Sequence, residues 1–221
     1  MLLGFVVVMG YKSLLNKPAN SDPDFFILLL GVFTFHGVGL VLVDVFLRLH
    51  GISWSQAFGF KAPRLGRAIF FALVVGVLIL PIALELQDLS MKVLRTFKVA
   101  AEAQAVTKVI QSTTSPWTLA CQAMLIVLIV PFVEEVIFRG IIYTSIKQKG
   151  FKKTALWGSS IFFAVMHMSP PHILPLTVLG IILVFLYETT QNLTAPIVTH
   201  SFFNAVNFVI LLWQTHKIGS V

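Results

Sequence analysis

The chain has 221 residues, 57% of them hydrophobic and only 11% charged, with a formal net charge of +7. A water-soluble domain carries about 25% charged residues, so too little polar surface is present to cover a globule in water, and the apolar content excludes disorder. A single cysteine, Cys121, excludes a disulfide scaffold. What remains is an all-α polytopic membrane protein, a bundle of transmembrane helices in a lipid bilayer. The basic surplus is assigned to cytoplasmic loops rather than to nucleic acid, because Lys and Arg in such loops set membrane orientation.

The N-terminal run MLLGFVVVMGYK is shorter than the roughly 20 residues that span a bilayer. It also lacks the basic start of a signal peptide, so it is read as a partial helix. Six apolar segments follow, at 25–48, 68–86, 117–143, 154–168, 173–187 and 194–214. Ser53 to Arg67 reads as a basic loop. Ser115-Pro116 signals a helix start before Trp117, and Ser169-Pro170-Pro171 stops the fourth span. Between spans two and three, 87–112 carries Lys92, Arg95, Lys98 and Glu102 against a stripe of Leu89, Val93, Phe97 and Ala100. That pattern predicts an amphipathic helix on the interface or on the bundle. One membrane domain covers 1–221. Arg48, Lys61, Arg64 and Arg67 after span one, and Lys147, Lys149, Lys152 and Lys153 after span three, fall on one side and make it cytoplasmic.

Ionisable groups within spans are costly and point to function. Span three holds Glu134, Glu135 and Arg139, span four ends in His167, and span six holds His200, Asn204 and Asn207. Glu135 and Arg139 are four apart in the favourable acid-before-base order, so they can neutralise each other. Glu134 lies about 100° round the helix, without a partner on it. His200, Asn204 and Asn207 form one polar stripe. At 1.5 Å per residue, Glu134 and Asn204 lie about 16 Å from the cytoplasmic edge, His167 about 20 Å and His200 about 10 Å. These depths let the groups meet near mid-bilayer. A buried carboxylate beside two imidazoles and an amide is equipped to activate water and to hold an oxyanion.

Elsewhere the reading is structural. Asp44 and Arg48 form a boundary ion pair, His36 beside Gly37 and Gly39 is a helix-packing feature, and Cys121 is an inert small apolar residue. No GxSxG supports a serine hydrolase, and no HExxH supports zincin geometry.

Glu134-Glu135-x-x-x-Arg139, Phe163-x-x-x-His167 and His200-x-x-x-Asn204, in that order on successive apolar helices, resemble the three motifs of the CAAX protease and bacteriocin-processing (CPBP, or Abi) family. This is a family of intramembrane endopeptidases that includes the Ras-converting prenyl protease. The resemblance covers roughly 117–214. It implies that Glu134 activates water with His167, that Glu135 and Arg139 organise the site, and that His200 and Asn204 form the oxyanion hole. It implies hydrolysis of a membrane-associated protein or peptide without a metal. The alternative is a zinc ion on Glu134, His167 and His200. The short chain without a eukaryotic sorting signal is read as prokaryotic, in the plasma membrane. The competing functions are a non-catalytic immunity or scaffold protein of the same fold and, less favoured, a proton-coupled transporter. Oligomeric state is not legible.

Overall fold

The computed structural model describes residues 10, 11, 13, 25–60, 65–99 and 104–218. The expected partial N-terminal helix lies almost wholly outside the described residues. Every element described is helical. Helix α1 runs Phe25–Leu49, with a π-helical segment at Phe33–Gly37. Helix α2 is Trp54–Phe58, α3 is Leu65–Thr96 and α4 is Ala105–Ser112. Helix α5 is an unbroken helical run over 116–148, interrupted by π segments at Leu125–Ile129 and Val136–Tyr143. Then come α6 at Lys152–Met166, a 3-10 turn at Pro170–His172, α7 at Ile173–Thr190 and α8 at Thr194–Ile218.

Among the described residues, four helices are long and apolar enough to cross a bilayer: Phe25–Leu49, Leu65–Thr96, Pro170–Thr190 and Thr194–Thr215. The other two expected spans are helical. One is the polar-centred α5, and the other, α6, has only 15 residues. Large apolar side chains such as Leu42, Phe70, Leu78 and Val209 are more than 60% exposed. Contiguous apolar surface of that kind is untenable in water and fits lipid.

Helix α7 is the centre of the bundle. It packs on α3, α6, α8 and the second π segment of α5. Leu176, Leu179, Gly180, Leu183, Val184 and Leu186 are buried along it. Gly180 lets α6 approach, because a Cβ there would stand 3.0 Å from Ser160 Cα. Helix α1 is peripheral and mostly lipid-facing.

The segment 87–112 departs from the expected single amphipathic helix. Pro81 does not stop α3, and the helix-forming residues after it carry the helix on to Thr96. The chain then turns through Lys98 at φ +54°. A separate short helix, α4, buries Val109 and Ile110 against the bundle, where it meets α8 and α1. Leu89, Val93 and Phe97 point outward, so that apolar stripe faces lipid rather than protein. Ala100 and Glu102 lie outside the described residues.

The expected loop after span one contains α2. Ser53 accepts from the Gln56 amide while the Gln56 side chain accepts from the Ser53 amide, a reciprocal cap. Helix α2 ends at Gly59, φ +71°, where a Cβ would overlap the Gln191 carbonyl. The Leu193 amide donates to the Phe58 carbonyl at 3.0 Å, which fastens this turn to the α7–α8 loop. Lys147 and Glu188 pair at the same end. Arg48, Lys147 and the start of α6 therefore gather at one end of the bundle.

Candidate functional site

The residues singled out by sequence converge on one buried centre. Glu134, Glu135, Arg139 and His200 are each at most 9% exposed. Arg139 Nη1 donates to Glu135 Oε1 at 2.9 Å and Nη2 donates to the Gly180 carbonyl at 3.1 Å. The guanidinium carbon sits 4.6 Å from the centre of the Phe163 ring. The ion pair expected from the four-residue spacing is thus formed, and it is braced by α7 and α6.

Glu135 does more than neutralise Arg139. Its Oε1 also lies 2.8 Å from His200 Nδ1. A carboxylate only accepts, so His200 donates through Nδ1, and this fixes the ring with Nε2 turned towards Glu134. His200 Nε2 is 3.7 Å from Glu134 Oε2. The chain Arg139–Glu135–His200–Glu134 joins α5 to α8. Thr199 beside it donates to the Ala72 carbonyl at 2.8 Å, which fixes α8 against α3.

His167 lies at the end of α6. Its Nδ1 donates to the Phe163 carbonyl at 2.8 Å, and its ring is edge-on to Phe163 at 4.8 Å between centroids. With Nδ1 donating, Nε2 of the neutral ring is an acceptor. His200 also meets Phe163 edge-on, at 5.5 Å. Phe163, fully buried, is therefore the common wall for Arg139, His167 and His200.

Asn204 reaches the centre through a defect in α5. The π turn at Leu125–Ile129 sends the Val130 amide to the Leu125 carbonyl, five residues back. The next amide in that pattern would serve Ile126, but it belongs to Pro131, which has no N–H. The freed Ile126 carbonyl accepts from Asn204 Nδ2 at 2.9 Å. One amide proton of Asn204 is thereby committed, and the other is left to donate. Asn207 only donates back to the Phe203 carbonyl of its own helix.

One participant escaped the sequence reading. His36, expected to be a packing residue, places Nε2 3.5 Å from Glu134 Oε1. It sits on the π segment of α1. All three π segments thus carry or serve this centre, through His36, the Ile126 carbonyl and Arg139. π segments are frequent at functional sites because they turn a side chain or free a carbonyl.

A cleft of about 330 Å³ opens between α1 and α5, lined by Leu40, Val41, Asp44, Trp54 and Phe132. Leu40 is one turn from His36 and Phe132 is two residues before Glu134. Asp44 pairs with Arg48 at 2.7 Å, as expected, and also accepts from Trp54 Nε1 at 2.9 Å.

Among the described residues, no three His, Cys, Asp or Glu side chains are grouped to hold a metal ion. Of the three expected zinc ligands, Glu134 and His200 are neighbours, and His167 makes no ion pair with either glutamate. As arranged, they do not form a three-ligand zinc site.

Comparison with known proteins points the same way. The chain is 34% identical over 82 residues to a Bacillus subtilis (strain 168) protein named "Putative membrane peptidase YdiL", a match covering 37% of this chain and 33% of that one. It is 34% identical over 85 residues to "UPF0177 protein YxdF" of Lactococcus lactis subsp. lactis (strain IL1403), covering 38% and 46%. The chain thus spans less than half the length of these curated relatives. No solved structure matches. The three motifs and the buried centre built from them lie within residues 116–206, the stretch that matches the family described as type II CAAX prenyl endopeptidase Rce1-like.

Proposed function

We propose that this protein is an intramembrane endopeptidase of the CPBP type, cleaving a peptide bond in a membrane-associated protein or peptide. The observation that carries the reading is the buried Glu134 carboxylate 3.7 Å from a histidine whose other nitrogen is held by Glu135, inside the stretch that matches the Rce1-like family. A carboxylate isolated among apolar helices is costly unless it has work to do.

The chemistry follows from the donors and acceptors. Glu134 takes a proton from a water that the acceptor nitrogen of His167 helps to hold. The hydroxide adds to the scissile carbonyl carbon. The resulting oxyanion is met by the remaining Asn204 amide proton and by His200 Nε2–H. His200 already donates through Nδ1, so Nε2 donates only when the ring is protonated. Two carboxylates, Arg139 and such an imidazolium sum to zero charge, which suits a site removed from water. Collapse breaks the C–N bond, and the proton on Glu134 passes to the leaving amine. No step needs a metal.

Substrate would reach Glu134 through the cleft between α1 and α5. That cleft begins near Trp54 and Arg48, at the end of the bundle where the basic residues gather, so access is from the cytoplasmic side by the positive-inside rule. The named relatives are bacterial, which supports a prokaryotic plasma membrane and makes prenylated proteins a poor expectation for the substrate.

The test is N-terminal peptide profiling of membranes from cells carrying the unaltered protein, its Glu134→Gln variant, or neither. New N-termini seen only with the unaltered protein are expected. Identical profiles at equal expression would favour the non-catalytic immunity or scaffold reading. pH-coupled flux without cleaved product would favour a transporter.

A further inference from the structure

The Glu134 carboxylate has two oxygens, and the sequence motifs account for the neighbour of only one. Oε2 faces His200, and Oε1 faces His36 Nε2 at 3.5 Å. His36 comes from α1, outside the stretch that matches the Rce1-like family. Its side chain is 13% exposed, and neither ring nitrogen has a hydrogen-bond partner. Burying an unpartnered imidazole forfeits its hydration, whereas Leu or Phe would fill the same volume at no such cost. Packing therefore does not account for a histidine at this position. The π segment at Phe33–Gly37 sets the register that turns the ring to the site. Leu40, one turn on, lines the cleft.

We propose that His36 is a positioning residue for Glu134, donating Nε2–H to Oε1 when substrate fills the cleft. The 3.5 Å separation is the open form of this bond, since hydrogen bonds of a catalytic centre tighten on loading. Holding Oε1 leaves Oε2, on the His200 side, as the oxygen that takes the proton from water. Helix α1 thereby supplies both a wall of the cleft and the clamp on the base, so occupancy of the cleft and alignment of Glu134 are linked. This inference rests on the reading of Glu134 as the general base. The charged and titratable groups around the contact are Glu134 of α5, His200 of α8 and, beyond them, His167 of α6.

The test uses the full chain in lipid nanodiscs with two variants. His36→Phe keeps the ring volume and removes the donor, and His36→Gln restores a donor. The first measurement is an infrared pH titration of the Glu134 carboxylate band, identified by its loss in Glu134→Gln. His36→Phe is expected to move the band and its midpoint, and His36→Gln to move them less. An unchanged band in His36→Phe overturns the proposal whatever the activity. The second measurement is cleavage of dye-labelled casein. His36→Phe should lower kcat about ten- to a hundredfold, the range a charge-assisted hydrogen bond supports, with KM nearly unchanged. His36→Gln should recover most of that loss. Equal loss in both variants, with thermal unfolding shifted to match, would make His36 merely structural and overturn the proposal. If Glu134→Gln cleaves as well as the unaltered protein, or nothing cleaves, the protease reading fails, and the infrared result alone still decides the contact.

Discussion

Replacing Arg139 with Met removes a cation from the driest part of the bundle and leaves its counter-charge behind. Arg139 is 1% exposed and Glu135 is fully buried. The variant loses the 2.9 Å bond to Glu135, the 3.1 Å bond to the Gly180 carbonyl and the contact over Phe163. Stranding one member of a buried pair costs about 3–5 kcal/mol. At about 1.4 kcal/mol per tenfold, that is two to four powers of ten in the folded-to-unfolded ratio. The charge argument also fixes the sign of the second substitution. Arg139→Met with Glu135→Gln should cost less than the sum of the two single changes, because no charge is then left unpaired. SDS titration of the protein in mixed micelles, followed by tryptophan fluorescence, measures all four corners of this cycle. A loss below about 1 kcal/mol for Arg139→Met, or strict additivity, would refute the view that the pair is held together by mutual neutralisation.

Other substitutions separate stability from chemistry. Pro131→Ala supplies the amide that the Ile126 carbonyl lacks, so it should raise the unfolding temperature while lowering casein cleavage, as Asn204 loses its anchor; unchanged cleavage would show the anchor to be idle. Asn204→Leu should cut kcat by about 10²–10³, the usual loss for one oxyanion donor, with little change in KM, as read from steady-state kinetics. Gly59→Ala puts a side chain at φ +71° against the Gln191 carbonyl and should cost at least about 1–3 kcal/mol in the same SDS titration, with the remaining folded protein still active. Adding 1,10-phenanthroline should leave cleavage unchanged, and inhibition reversed by zinc would overturn the metal-free reading.

Much of the site could be read from local spacing. The interval between Glu135 and Arg139, and the single stripe of His200 and Asn204, are helical arithmetic, and both survive as contacts. Contacts set by packing could not be read in that way. His36 reaches Glu134 only because α1 lies against α5 and a π segment rotates the ring inward, and neither fact is a property of its neighbours in the chain. Asn204's partner was half visible. Pro131 announces a missing amide, but which carbonyl it frees depends on the π register. Helix α2 was fully legible, since Ser53-x-x-Gln56 is a capping box, and was passed over beneath the basic residues of the loop. The stretch 87–112 misled because its polar spacing is also that of a long helix emerging from lipid.

The π segments also set which genetic changes the protein can absorb. Each holds one more residue per turn than an α-helix would at the same place, so each acts as a spacer of one residue in the reading of the helix. Deleting one residue within Leu125–Ile129 would leave an apolar helix of nearly the same length and hydropathy. It would also swing the whole Glu134–Arg139 face by about 100° away from α8. Point substitutions in these runs of Leu, Ile and Val should be tolerated widely, whereas single-residue insertions and deletions should be nearly absent from functional variants.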